Sequence, residues 1–128
     1  MSGEQAVVLF GHGARDPAWA QPMQRVRDRL VAAAPDVGVE LAFLEFIEPA
    51  LDVAIDALVA RGARRVVVVP MFIAQGGHLK ADLPKLVAAA RARHPGCEIV
   101  QAPAVGEADP VITAMAEYAR TCATGDIG

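Results

Sequence analysis

Arg65-Val66-Val67-Val68-Val69-Pro70-Met71-Phe72-Ile73-Ala74-Gln75-Gly76-Gly77-His78 decides the fold. Branched side chains favour a strand, because a pleated surface accepts their stiff χ1. Four consecutive valines leave no polar face. A strand over Arg65 to about Met71 is therefore predicted to be covered on both sides, at the centre of a parallel sheet. The apolar run ends at Ala74, far short of the roughly 20 residues that cross a bilayer. The glycines that follow break the strand and leave His78 just past its carboxyl end.

The same grammar extends outward. Ala6-Val7-Val8-Leu9-Phe10 reads as a first strand, and Phe10-Gly11-His12-Gly13 sets a second histidine in glycine at its end. Asp16-Pro17 is a cap followed by a helix-starting proline. The helix it opens carries Trp19, Met23, Val26 and Leu30 at helical spacing. A second strand is predicted over Val37–Phe46. Val37, Val39, Leu41 and Phe43 share one of its faces and Glu40 takes the other, which suits a sheet edge. A second helix starts near Pro49, carries Leu51, Ile55, Leu58 and Val59, and stops at Gly62. A third is predicted from near Asp82, with Pro84 in its first turn, to about Arg93. Glu98–Ala102 is a short, more polar strand for the other edge. A fourth helix follows Asp109-Pro110 and turns Ile112, Met115, Ala119 and Cys122 inward. The chain after about residue 122 is expected to fray.

Strand and helix alternating four times make an α/β chain: a four-stranded parallel sheet with helices on both faces. The 128 residues are expected to form one domain, 1–128. With strands 1 and 3 inside and right-handed crossovers, the strand order is 2-1-3-4. The order then reverses between strands 1 and 3, and open parallel sheets bind ligands at the carboxyl edge of such a point. His12 and His78 flank it.

Composition narrows the chemistry. The hydrophobic content of 54% leaves room for an apolar interface or cleft. A net charge of −3, a single tyrosine and no basic run argue against nucleic acid as a partner. No segment is long and apolar enough for a membrane. Met1–Gln5 lacks a basic export region, and Cys97 and Cys122 form no Cys-x-x-Cys pair, so a reducing cytoplasm is expected. One serine, Ser2, and no asparagine remove the serine-hydrolase elbow. Gly11-x-Gly13 is followed by Asp16 where a dinucleotide fingerprint has glycine, and no Gly-Lys-Ser/Thr occurs, so phosphate cradles fit poorly. Phosphoryl transfer through His12 lacks its usual arginine: Gly11 precedes the histidine, and Arg15 is a poor substitute.

Metal handling fits better. His12, His78 and Glu45 or Glu48 fall on one rim, and two imidazoles with a carboxylate suit Co²⁺, Ni²⁺, Fe²⁺ or Zn²⁺. Ligands from separate loops leave coordination positions open. Each residue also has a structural reading. His12 can brace a turn, and His78 can cap the third helix. Glu48 can cap the second, while Glu45 is the better candidate for function. Asp16, Asp82 and Asp109 read as caps. His94, in Arg93-His94-Pro95-Gly96, suits a helix end. Met71-Phe72-Ile73 is either core or the lining of a flat apolar pocket.

Three segments resemble a known family: Leu9-Phe10-Gly11-His12-Gly13-Ala14-Arg15-Asp16-Pro17, Ala42-Phe43-Leu44-Glu45-Phe46-Ile47-Glu48-Pro49, and Val69 through Pro84. Together they are similar to the small, single-domain branch of the sirohydrochlorin cobaltochelatases, whose larger relatives, protoporphyrin ferrochelatase among them, fuse two such domains. The resemblance implies a chelatase-type domain that pairs as a homodimer. It implies His12 and His78 as metal and catalytic residues, with Glu45 assisting. The substrates it implies are a sirohydrochlorin-type tetrapyrrole and Co²⁺, with Ni²⁺ or Fe²⁺ possible and no permanently bound cofactor. On that basis Met71, Phe72 and Ile73 are expected to contact the ring face. Arg15, Lys80 and the backbone of Gly76 and Gly77 are expected to meet its carboxylates. The histidine- or cysteine-rich tail of some members has no counterpart at this carboxyl end, so no tail store of metal is expected. The competing expectations are a non-catalytic metal or tetrapyrrole carrier and a histidine phosphatase.

Overall fold

The structure, a computed structural model, describes residues 4–125. Four parallel strands, β1 (Gln5–Gly11), β2 (Gly38–Phe43), β3 (Arg65–Pro70) and β4 (Glu98–Gln101), form one sheet in the order β2-β1-β3-β4. The order read from the sequence is the order found. β1 pairs with β2 from Ala6↔Gly38 to Gly11↔Phe43, and with β3 from Gln5↔Arg65 to Phe10↔Pro70. The carboxyl ends of the two central strands therefore lie side by side.

Successive residues of a strand face opposite sides, and β1 sorts its side chains accordingly. Ala6, Val8 and Phe10 join Val66, Val68 and Ile99 in the larger core. Helices α2 (Leu51–Ala60) and α3 (Gly77–Arg93) cover it through Leu51, Ile55, Leu58, Leu83 and Val87. Leu9 faces the other way, with Leu41, Phe43 and Met23 of α1 (Gln21–Ala33). Helices thus lie on both faces. The second face is the thinner one: Val67 and Val69 are only half-buried, so β3 is fully covered on one side rather than two.

Several boundaries differ from expectation, each for a local reason. β2 ends at Phe43, because the next residues turn out of the sheet toward the β1–α1 loop. Asp16 does cap, accepting the Ala18 N–H at 3.0 Å, but what it starts is a 3-10 turn, Pro17–Ala20, that leads into α1. Ala50, not Glu48, takes the cap position of α2, and Asp109 is already inside α4 (Asp109–Ala123). α3 begins at Gly77, not near Asp82, which puts Asp82 and Pro84 inside it. Burial at Leu79 and Leu83 extends the stripe of Val87 and Ala90 back by one turn, and that outweighs the proline signal. Pro84 lies on the exposed side, where water can satisfy the carbonyl its missing N–H leaves free.

α4 is the larger correction. It touches the rest of the described chain mainly at the 3-10 turn Val105–Glu107, and none of its residues is buried. Ile112 and Met115, expected inside, are 43% and 39% exposed, and Tyr118 is 62% exposed. The amphipathic pattern is real, but nothing in a single copy covers it. The helix runs to Ala123, one residue past the expected start of fraying, and residues 126–128 lie outside the described part. Cys97 is buried and Cys122 partly so, both as free thiols. Among the described residues no helix is long and apolar enough to cross a membrane.

His94 is structural, as its setting indicated. It closes α3 and places Nε2 2.6 Å from Asp56 Oδ1 on α2, with Arg93 Nη2 3.1 Å from the same oxygen. The His94 hydrogen bond, chiefly, holds the Asp56 carboxyl below its ordinary 3.8; burial opposes it, and the hydrogen bond and charge of Arg93 add to the lowering. Because the folded-state value is the lower one, the stabilisation is fully present above about pH 4 and is lost as pH falls through the lowered folded-state value. An exposed pair of this kind is worth at most about 1 kcal/mol. Asp56→Asn is expected to melt slightly below the parent at pH 7 and to converge with it as the pH is lowered toward 2, in thermal melts followed by circular dichroism.

Candidate metal-handling site

Hydrogen bonding beyond the strand ends builds the site. Past the last β1–β2 pair, Leu44 N–H donates to the Gly11 carbonyl at 3.0 Å and Glu45 N–H to the His12 carbonyl at 3.1 Å. On the other side Met71 N–H donates to the Phe10 carbonyl at 2.8 Å. His12 therefore hangs from backbone fixed on both sides. Gly13 makes the approach possible. Its φ is +95°, and a Cβ there would lie 1.8 Å from the Glu45 carbonyl oxygen. Only glycine supplies that conformation at no steric cost and leaves the room as well.

The side chains follow the backbone. His12 Nε2 lies 3.2 Å from Glu45 Oε1, and both side chains are about half exposed, at 53% and 49%. The Phe72 ring stands edge-on to His12, centroids 6.5 Å apart at 88°, and edge-on to Phe10 at 6.1 Å. Phe72 is held in turn by Gly106, which donates its N–H to the Phe72 carbonyl at 3.0 Å and packs against Ile73 backbone where a Cβ would not fit. Four connections at one end of the sheet thus fix the His12 imidazole in an accessible position. When Nε2 donates to Glu45, the Nδ1 lone pair is free to take a metal ion or a proton.

The other expected residues divide. His78 is exposed in the first turn of α3, on the same rim, but no hydrogen bond or ring contact joins it to His12 or Glu45. It does not cap the helix: Gly76 holds that position without a side-chain cap. Among the described residues no three His, Cys, Asp or Glu side chains converge as a closed metal shell. Glu45, rather than Glu48, is the carboxylate that reaches a histidine. Met71 packs against the smaller core, whereas Phe72 touches His12 and Ile73 is exposed. Lys80 is exposed on α3, and Gly76 and Gly77 present backbone at its amino end. Arg15 places its guanidinium carbon 4.9 Å from the centroid of the Phe46 ring. Phe46 was missed by the sequence reading, which placed it inside a strand. Nothing in its residue type signals the turn it makes.

The CbiX family model matches residues 6–122. The chain belongs to the CbiX family. Among curated relatives it is 34% identical to the sirohydrochlorin cobaltochelatase of Methanococcus aeolicus, over 65% of this chain and 58% of that one. It is 37% identical to that of Methanopyrus kandleri, over 64% of this chain and 57% of that one. The chain thus spans less than two thirds of the length of these relatives. Among solved structures, the CbiX protein of Marinobacter aquaeolei superposes with a TM-score of 0.81 over 95% of this chain and 99% of that one, at 24% identity, which speaks to the fold. The sirohydrochlorin chelatase SirB of Bacillus subtilis subspecies spizizenii, solved with cobalt, superposes at 0.76 with 28% identity, over 91% of this chain and 50% of that one.

The lock between the loops gives a direct test. Gly13→Ala is expected to lose about 1–3 kcal/mol from a strained backbone and to lose more through the clash with Glu45. Gly62→Ala also meets a positive φ, +100°, but in open space. It is expected to cost only about 1–2 kcal/mol. Urea unfolding of the two variants in parallel separates the clash from the dihedral.

Proposed function

We propose that the chain inserts a divalent metal ion, cobalt in the first instance, into sirohydrochlorin, acting in the cytoplasm as one chelatase-type domain, 1–128. The observation that carries this reading is His12, held by Glu45 and left open at the sheet's carboxyl rim beside the switch between β1 and β3. The names of the relatives point to the same reaction. An incomplete ligand set is what such a reaction needs, because an ion gripped by a closed shell is not passed on.

The reaction exchanges two pyrrole protons for one M²⁺. His12 presents the ion to the ring with its free imidazole nitrogen. His78, in the first turn of α3, is the second base: His12 takes one pyrrole proton on the nitrogen that has released the ion, and His78 takes the other. Glu45 orients His12 and relays a proton outward to solvent, as an outer-shell carboxylate does. Phe72 and Ile73 offer apolar contact to the macrocycle. Arg15, Lys80 and the α3 backbone around Gly76 and Gly77 meet its carboxylates, the last as N–H donors at a helix start. Met71 supports this wall from the core side.

We infer further that the chain acts as a homodimer. The uncovered face of α4, with Ile112, Met115 and Tyr118 exposed, supports it. Ile112→Asp with Met115→Asp is expected to yield a folded monomer in analytical ultracentrifugation, where the parent sediments as a dimer. A parent that is monomeric at high micromolar concentration contradicts the pairing.

Anaerobic insertion followed by visible absorbance, with Co²⁺, Ni²⁺ and Fe²⁺ in parallel, tests the activity. The parent is expected to turn over, fastest with Co²⁺. His12→Ala and His78→Ala are each expected to lose about 10²-fold or more in rate, with unchanged melting temperature because neither side chain is buried. Stoichiometric binding without turnover would make the chain a carrier. Insertion at the parental rate by both variants would remove the histidines from the mechanism.

A further inference from the structure

The strongest unexplained feature is Phe46. Its φ is +68°, and among the described residues it is the one non-glycine with a positive φ. Ile47 N–H donates to the Glu45 carbonyl at 2.8 Å, so Phe46 is the apex of a three-residue turn of the rare, strained hand. A positive φ is uncommon outside glycine, Asn and Asp being several-fold enriched there, and for a bulky side chain such as phenylalanine it is an outlier. Nor is the strain offset by burial: Phe46 is 57% exposed. Strain of this kind persists where the surroundings enforce it, and it concentrates at binding sites.

The turn projects an aromatic ring at the rim, one residue from the carboxylate that holds His12. Arg15 stacks on that ring, and among the described residues it makes no ion pair. Phe46 also borders an open cleft of about 520 Å³ lined by Leu44, Glu45, Ile47, Pro49 and Val53. The ring is thus a flat apolar surface, carrying a cation with no protein carboxylate of its own, next to an imidazole that can hold a metal ion. A planar conjugated ring with carboxylate side arms matches all three.

We propose that Phe46 and Arg15 form the stacking platform that receives the macrocycle, with Phe46 under the ring and Arg15 released toward a peripheral carboxylate. This rests on the chelatase reading above and adds to it the residue that selects a flat substrate. Its strain is retained for binding, so folding and binding should pull in opposite directions at this position.

Three variants test it: Phe46→Asn, Phe46→Leu and Phe46→Tyr. Phe46→Asn is expected to melt at or above the parental temperature, because it relieves the turn. Its KM for sirohydrochlorin is expected to rise about tenfold, the loss of one stacking contact. Its kcat and its KM for Co²⁺ should stay within about twofold, the pattern of a group that binds ring and transition state alike. Phe46→Leu is expected to behave as Asn does in KM, and Phe46→Tyr as the parent does. An unchanged KM in Phe46→Asn, or equal behaviour of Leu and Tyr, overturns the platform. Quenching of sirohydrochlorin fluorescence, measured without metal, separates the two readings. Tight binding that weakens in Phe46→Asn, with no insertion by the parent, sinks the chelatase and keeps the platform. Insertion by the parent with binding indifferent to residue 46 does the reverse.

Discussion

The constraint on which the rest depends is the pairing of β1 with two parallel neighbours, continued past the ends of the strands. β1 and β2 leave register at Gly11 and Phe43, yet the next two backbone bonds, from Leu44 to Gly11 and from Glu45 to His12, keep the chains together. A ladder slipped by one residue would turn Glu45 away from His12 and exchange the two cores at the same time. The core therefore protects the geometry of the rim. Val8, Phe10, Val66 and Val68 cannot change face without losing the packing that α2 and α3 supply.

The rim itself is built of positions that local preference would not choose. Gly13 takes a positive φ and lets the Glu45 carbonyl approach, Gly106 gives way to the Ile73 carbonyl, and Phe46 adopts a turn that suits asparagine better. Each departure sits in a connection at the carboxyl ends of the strands. The opposite end of the sheet is held by ordinary surface pairs, such as Arg65 with Glu98 at 3.2 Å. The body of the domain can thus be stable while its working edge carries strain and open side chains. The same economy leaves His12 half exposed rather than packed away.

Much of this is legible in the amino-acid sequence. The valine run, the alternation in β2 and the Gly-His-Gly setting gave the strand order and placed both histidines at one rim, because those signals are local and strongly periodic. Of the two candidate carboxylates, Glu45, one face-alternation beyond Phe43 at the strand end, is the one whose side chain reaches His12. The start of α3 was misjudged because tertiary burial of Leu79 outweighed Pro84. The covering of α4 was misjudged because an amphipathic stripe says that a face will be covered without saying by which chain. Phe46 escaped notice because its turn is imposed by the neighbouring loop, through the bond that Glu45 makes with His12. Chemistry between loops of distant sequence leaves no periodicity to read.

The central claim is that an open imidazole, His12, fixed by Glu45, is where the divalent ion meets the protein. Anomalous diffraction at the cobalt edge from crystals grown anaerobically with Co²⁺ tests this most directly. The expected result is a cobalt peak about 2 Å from a ring nitrogen of His12, absent in His12→Ala crystals. A peak at the His94–Asp56 pair or on the surface, with the His12 ring still unligated, would contradict the account.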